Sequence, residues 1–313
     1  MSLKIAFVGA GSIAQNHFDA LRYAGAEVVG VCTRGESGKL FAEKNRITYR
    51  QMPEQLMEDC QPDALFLLTQ PSAYVEVLAR VQPYGLPVFI EKPLGNTVRE
   101  AEALREFLLE KVFVGLNRRF YSNIRPLLPM LSDEPPFMTQ VVMPEREKDY
   151  GQYPDAQTRN HWDMLQGIHL IDLITYLAGP LKNVLGGTHW GALPLTEVPQ
   201  YTMTLYETER KHRVSFLSNF DSPGGWRIHF FLPKKEIIVS PLEKTLIRSL
   251  SGLEELPVSE LDQKAKPGFI AQAQCFLDGV QSQALPSDWV SFDDALTSMR
   301  TLEALFQAKV PVA

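Results

Sequence analysis

The chain begins with a short apolar run, Lys4-Ile5-Ala6-Phe7-Val8, cut off by Gly9. A run of that length closed by glycine predicts a buried strand. Residues 13–24 then place Ile13, Phe18 and Leu21 on one helical face. The alternation continues, with strands predicted at Glu27–Cys32, 63–68, 87–90 and 111–115 and helices at 74–81 and 98–109. Strands separated by amphipathic helices make βαβ units, whose strands run parallel with right-handed crossovers.

Beyond about residue 120 the period changes. Longer stretches, 200–206, 212–218, 226–232 and 236–240, alternate apolar with polar residues and are separated by Pro and Gly. Their β-branched and aromatic content predicts an antiparallel sheet. Helices are predicted at 169–177, 269–280 and 293–307. At roughly 150 residues per domain, 313 residues make about two domains. The change of pattern divides them at 1–120 and 121–313. Pro135-Pro136 predicts a loop inside the second domain, and no internal repeat is present.

Composition narrows the function classes. Hydrophobic residues make up 45% and charged residues 22%, ordinary globular usage. With 31 basic against 37 acidic side chains the formal charge is −6, which gives no global attraction for nucleic acid or anionic lipid. Cys32, Cys60 and Cys275 lie far apart, with no C-x-x-C pair or His/Cys cluster, so no metal is expected and the cytoplasm is the expected compartment. No segment approaches the ~18 apolar residues that span a bilayer. Met1-Ser2-Leu3-Lys4 leads directly into the first strand, so neither a leader nor a membrane partner is expected.

The strongest local chemistry is Gly9-Ala10-Gly11-Ser12-Ile13-Ala14, a G-x-G-x-x-A pattern after a strand and opening a helix. The first glycine permits the tight turn, the second lets backbone approach a pyrophosphate, and Ala14 keeps the helix close to the sheet. A helix N-terminus adds open N–H groups and partial positive charge. These features predict an N-terminal Rossmann dinucleotide-binding domain, with Gly9, Gly11, Ser12 and Ile13 around the phosphates. A ribose 2′-hydroxyl calls for a carboxylate at the end of the second strand. Here that end reads Val31-Cys32-Thr33-Arg34-Gly35, without an acid. Thr33 and Arg34 can bind a 2′-phosphate instead, which favours NADP(H) over NAD(H). Two alternatives stay open: Arg34 as a solvated loop charge, and Glu36 reaching a hydroxyl.

Further motifs follow in order along the chain. They are Leu68-Thr69-Gln70-Pro71-Ser72-Ala73-Tyr74, Phe89-Ile90-Glu91-Lys92-Pro93-Leu94, Val114-Gly115-Leu116-Asn117-Arg118-Arg119-Phe120 and Gly167-Ile168-His169-Leu170-Ile171-Asp172. Phe269-x-x-Gln272-x-x-x-Phe276 and a closing helix at Asp294-Ala295 complete the series. Together they resemble the Gfo/Idh/MocA oxidoreductases, the family of glucose-fructose oxidoreductase and inositol dehydrogenase. The short length and the Asn-Arg-Arg-Phe spelling are similar to its compact MviM-like branch. The resemblance spans essentially the whole chain. It implies a second, α+β domain with a large open, mostly antiparallel sheet, whose face often makes a homodimer or a dimer of dimers. It implies reversible hydride transfer between NAD(P) and a small sugar, polyol or cyclitol, or its keto form. It also sets Thr69, Gln70, Pro71, Tyr74, Glu91 and Lys92 on the nicotinamide side, with Tyr74 where histidine is usual.

Such a reaction needs a proton acceptor and a group that stabilises an alkoxide-like oxygen. Lys92, at the end of an apolar strand, is the expected stabiliser, and His169 the expected acid/base. The plain alternatives are a salt-bridged loop lysine and a capping or core histidine. One departure stands out: Leu165 occupies the position of the family's aspartate, four residues before the histidine. Asp163 is expected just outside the helix and Asp172 one turn past His169. Either Asp163 substitutes from a shifted loop, or His169 works without a carboxylate, or the proton chemistry is lost and the protein is a cofactor-binding sensor. A reductase of C=N or tetrapyrrole groups is a third class. Arg118 and Arg119 are candidates to orient substrate, cofactor or the domain interface, and only Arg119 falls on the family's arginine. Trp162, beside Arg159, Asn160 and His161, offers a stacking surface for a sugar, or else a buried tryptophan. The run 144–149 is expected to be a solvated loop.

Overall fold

Ile5, Ala6, Phe7, Leu65, Phe66 and Phe89 expose no surface, which only a sheet covered on both faces allows. The computed structural model describes residues 2–108, 110–145, 160–192, 198–220 and 222–307. The first unit is built from β1 (Lys4–Val8), α1 (Ala14–Tyr23), β2 (Glu27–Cys32), α2 (Glu36–Asn45), β3 (Thr48–Arg50), α3 (Pro53–Cys60) and β4 (Ala64–Leu67). It continues through α4 (Tyr74–Val81), β5 (Val88–Ile90), α5 (Val98–Ala103) and β6 (Val112–Val114). The six strands pair in parallel in the order β3-β2-β1-β4-β5-β6. The order reverses between β1 and β4, and crevices for ligands open at the carboxyl ends of strands on either side of such a reversal. The helix expected over 98–109 ends at Ala103 and tightens into a 3-10 turn, Leu104–Phe107. Its start is fixed by Thr97, whose hydroxyl accepts the N–H of Glu100 at 3.1 Å.

Register aligns Phe66, Phe89 and Phe113 on neighbouring strands, and their rings stack at 4.2 and 5.4 Å. Phe276 meets all three edge-on at 5.1, 5.9 and 6.0 Å. That residue comes from α9 (Phe269–Gln281), far down the chain. The continuous division 1–120 and 121–313 is therefore corrected. The first compact unit is Met1–Phe120 with Glu260–Leu296, and the second is Tyr121–Ser259 with Thr297–Ala313. The physical cause is the aromatic ladder, on which Phe276 of α9 packs and so joins residues 260–296 to this core. Two motifs also bind each other here. Asn117 donates to Pro267 O at 3.0 Å, and Gln272, in the amide orientation that satisfies it, accepts from Leu116 and Asn117 N–H at 3.2 Å.

The second unit holds α6 (Leu127–Asp133), β7 (Met138–Pro144), α7 (Trp162–Ala178), β8 (Leu181–Ala192), β9 (Pro199–Thr208), β10 (Arg213–Asn219) and β11 (Arg227–Leu232). It adds β12 (Lys235–Val239), β13 (Thr245–Ser249) and β14 (Gly252–Glu255). The last helices are α8 (Glu260–Lys264), which belongs to the first unit, and α10 (Phe292–Gln307), shared by both. Eight strands form one open sheet in the order β14-β13-β12-β11-β7-β10-β9-β8, antiparallel except for the β10–β7 pair. Val141, Val214, Phe216, Ile228, Phe230 and Ile237 line its buried face. Among the described residues no helix is long and apolar enough to cross a membrane.

Phe276→Ala removes the common neighbour of three stacked rings. It should destabilise the first unit by about 3–5 kcal/mol, read as a lowered urea midpoint. A change below about 1 kcal/mol would detach residues 260–296 from that core.

Candidate active site

The loop after β1 folds as its glycines require. Gly9 has φ +106°, and a Cβ there would lie 2.6 Å from the Leu68 carbonyl, so only glycine fits between β1 and β4. Its N–H donates to Cys32 O at 2.8 Å, joining the β1 and β2 ends. A Cβ on Gly11 would meet nothing closer than 3.9 Å, which leaves room above it. Gly11 and Ser12 are exposed, Ile13 is half-buried, and α1 starts with no acid in its first turn and no side-chain cap. That end is open to an anion. On the adjoining loop Gln70 is exposed and Pro71 half-buried. Thr69 Oγ1 is buried without a hydrogen-bond partner among the described residues. A cavity of about 200 Å³, lined by Gly9, Cys32, Thr33, Arg34, Thr69 and Glu76, continues from this loop. Glycine turn, open helix end, orphaned hydroxyl and cavity together fit a dinucleotide.

Arg34 sits at that cavity, 72% exposed, and its Nη2 pairs with Glu76. Thr33 accepts the Gly35 N–H at 3.3 Å and keeps its own hydroxyl proton to donate. The Cys32 thiol is pushed up to about 11, chiefly by burial, so it is an inert part of the wall.

Glu91 organises the end of β5. Its Oε1 lies 2.7 Å from His17 Nε2, its Oε2 accepts the Lys92 N–H at 3.1 Å, and its carbonyl accepts the Tyr74 hydroxyl at 2.6 Å. A Cβ on Gly115 would press to 3.0 Å from the Glu91 carboxylate. The expectation that Tyr74 lines the cofactor is corrected. The ring is wholly buried and its hydroxyl braces Glu91 from inside the core. Lys92 keeps some exposure, yet burial pushes its ammonium down to about 8. The Arg118 and Lys266 charges push the same way and Glu91 opposes them. Lys266 stands 5.2 Å over the Phe269 ring, and partial burial of its ammonium, together with Arg118, lowers it. Sequence reasoning passed over Lys266 and set Arg119 above Arg118. Arg119 is buried, and the charge that reaches Lys92 is that of Arg118. No local motif marks Lys266, which the return of the chain brings here.

In the second unit α7 begins at Trp162, earlier than expected, and it is buried nearly all round, at Trp162 and Met164 as well as along residues 167–175. Asp163 is therefore inside the helix, correcting its expected place outside. Six residues separate it from His169, about 9 Å of rise and a different face. Its carboxyl is pushed up to about 6, first by burial and then by Glu303, while the Met164 N–H and His161 oppose the shift. His169 is not among these influences. Asp172 is wholly buried and accepts from Ser298 at 3.1 Å, an anchor between α7 and α10. Trp162 is 2% exposed, so it is a core residue rather than an open stacking surface. His169 is buried 6.4 Å from the Trp226 ring, and Trp226 Nε1 donates to the buried Glu145 at 2.6 Å. This corrects the solvated run 144–149 at its first two positions: Pro144 ends β7 and Glu145 is inside. Residues 146–149 and Arg159 lie outside the described residues. No group of three or more His, Cys, Asp or Glu converges as a metal site among the described residues.

These features define an NAD(P)-binding oxidoreductase. Residues 3–114 match the model of a family described as an oxidoreductase family with an NAD-binding Rossmann fold, GFO_IDH_MocA. The YceM protein of Salmonella typhimurium is 25% identical over 326 positions, covering 98% of each chain. An inositol 2-dehydrogenase/D-chiro-inositol 3-dehydrogenase of Lacticaseibacillus casei is 27% identical over 136 positions, 41% of this chain and 39% of its own. A solved oxidoreductase from Thermotoga maritima shares the fold with a TM-score of 0.83 at 17% identity, covering 98% of this chain and 97% of its own. Over residues 3–114 the chain is thus similar to the Gfo/Idh/MocA oxidoreductases.

The raised Asp163 carboxyl carries a stability test. Between the ordinary 3.8 and about 6 the folded chain holds a proton that the unfolded chain has released, so stability falls as pH rises through that window. Asp163→Asn should raise the unfolding free energy at pH 7 by about 1–2 kcal/mol and give no gain below about pH 4. Urea titrations at both pH values check it; equal effects at the two would contradict the burial account.

Proposed function

We propose that the protein moves a hydride between NADP(H) and the carbinol or carbonyl carbon of a sugar, cyclitol or related polyhydroxy compound. The observation that carries this reading is Lys92. It is a lysine lowered to about 8, fixed through Glu91 at the carboxyl end of the same parallel sheet that carries the glycine turn. The inositol dehydrogenase named among the relatives supports the substrate class. When bound, the nicotinamide supplies the site that gives or takes the hydride. The chain supplies the rest. The Gly11, Ser12 and Ile13 backbone and the end of α1 hold the pyrophosphate, and the Thr69 hydroxyl gains a partner. Thr33 and Arg34 receive the 2′-phosphate.

Lys92, as an ammonium, donates to the substrate oxygen and stabilises the alkoxide as hydride leaves the carbon. The lowered value makes the Lys92 ammonium a stronger hydrogen-bond donor to the developing alkoxide, while the proton itself passes through His169. His169 takes the hydroxyl proton in oxidation and returns it in reduction, without help from Leu165. Arg118 and Arg119 hold charge and packing around Lys92. Asp163 and Asp172 support α7 instead of reacting.

The sheet of the second unit gives the oligomer. Trp190, Met203 and Leu205 are 47%, 49% and 41% exposed on neighbouring β8 and β9, and Trp190 stacks on Tyr201 at 5.3 Å. We assign this apolar face to a second copy, as a homodimer or dimer of dimers. The three thiols are free, in keeping with work in the cytoplasm.

Lys92→Met should abolish turnover while NADPH still binds, followed by nicotinamide fluorescence. Turnover near the wild-type rate would remove Lys92 from the chemistry. Arg34→Ala should weaken NADPH by about tenfold and NADH by less than about twofold; equal losses would reject the 2′-phosphate contact. Tight cofactor binding with no turnover across sugars, cyclitols and their keto forms would replace the enzyme reading by that of a cofactor sensor.

A further inference from the structure

Strand β2 ends without a carboxylate, and the fold brings one from another element. Glu76, in the first turn of α4, pairs through Oε1 with Nη2 of Arg34 at the cavity beside the β2 end. The two side chains are 53% and 72% exposed. The same Oε1 lies 3.9 Å from Nη1 of Arg80, one turn along α4. Arg80 lines the cavity too and is held in place by Glu54 through bonds of 2.7 and 2.6 Å. The Glu76 carboxylate thus stands between two guanidinium groups, one exposed and one fixed.

We propose that Glu76 is the chain's own occupant of Arg34 and sets cofactor specificity by competing with the cofactor's 2′-phosphate. The inference rests on the NADP(H) reading above. A carboxylate and a phosphate offer a guanidinium the same paired oxygens, so Arg34 cannot embrace both in full. An exposed ion pair is weak, and Glu76 gives it up at small cost. Arg80 then receives the displaced carboxylate, which needs only a side-chain rotation. NADP(H) gains Arg34 by passing Glu76 to Arg80. NAD(H) leaves the pair closed, and its 2′-hydroxyl can donate to Glu76, the carboxylate that β2 lacks. Discrimination is therefore a difference between two states of one side chain.

The test measures calorimetric binding of 2′,5′-ADP and 5′-AMP, the adenosine halves with and without the 2′-phosphate. Glu76→Gln should bind 2′,5′-ADP about three- to fivefold more tightly, the full worth of an exposed pair, and 5′-AMP no more tightly. Arg80→Met should bind 2′,5′-ADP more weakly than the wild type, because the displaced carboxylate loses its second cation. Unchanged or weaker 2′,5′-ADP binding by Glu76→Gln overturns the inference, and Arg80→Met affinity equal to wild type overturns the hand-over. If the wild type prefers 2′,5′-ADP and Arg34→Ala loses that preference while Glu76→Gln changes nothing, the Glu76 role falls and the NADP(H) reading stands. If the wild type shows no preference and Arg34→Ala alters neither ligand, both fall together.

Discussion

The carboxylate of Glu91 is the constraint on which the first unit's chemistry depends. It is nearly enclosed, at 12% side-chain exposure, and has to be satisfied where it stands. His17 takes one oxygen and the Lys92 backbone takes the other. His17 in turn is held by the rings of Phe66, Phe89 and Phe269 at 5.4, 5.0 and 4.8 Å. The position of Lys92 is thus set by a hydrogen-bonded carboxylate within an aromatic core, and a rigid support of this kind is what a reacting group needs. The same carboxylate attracts the Lys92 ammonium, against two cations, Arg118 and Lys266, that press on it. Desolvation and crowding outweigh that attraction, and the lysine is tuned towards neutrality.

The phosphate end follows a different logic. There, exposed guanidinium and carboxylate groups are paired in a chain, Arg34 with Glu76, Glu76 near Arg80, and Arg80 with Glu54. Each exposed link contributes little stability, so the arrangement can rearrange around an incoming charge. In the proposed reaction a buried carboxylate holds Lys92 in place, and solvent exposure leaves the proposed recognition end adjustable. Both sit on one parallel sheet because its strand order reverses between β1 and β4.

Much of this was legible in the residues. The Gly9-x-Gly11 turn needs only local sterics and an adjacent strand and helix, and both were visible in the periodicity. Helix 74–81 was readable to its ends from its apolar spacing. Other features depend on pairings that no local pattern encodes. Arg34 and Glu76 are 42 residues apart, and their meeting depends on how α4 rolls against the sheet. The return of residues 260–296 depends on Phe276 finding three rings from three strands. Trp162 and Asp163 looked like loop residues because a polar cluster precedes them, whereas the helix α7, buried nearly all round, already begins at Trp162. Glu145 sits in a charged run that reads as solvated, and only the Trp226 indole shows why it is inside.

The account turns on whether the Lys92 ammonium is lowered in the folded protein. The most direct measurement is its own titration: the rate at which a limiting acylating reagent labels Lys92, resolved by peptide mass spectrometry across pH 6 to 12 (a span of about six units around the values compared). The labelling midpoint should fall near 8 and move up towards 10.5 when the protein is unfolded in urea. A folded-state midpoint near 10.5 would show an ordinary solvated lysine and contradict the central claim.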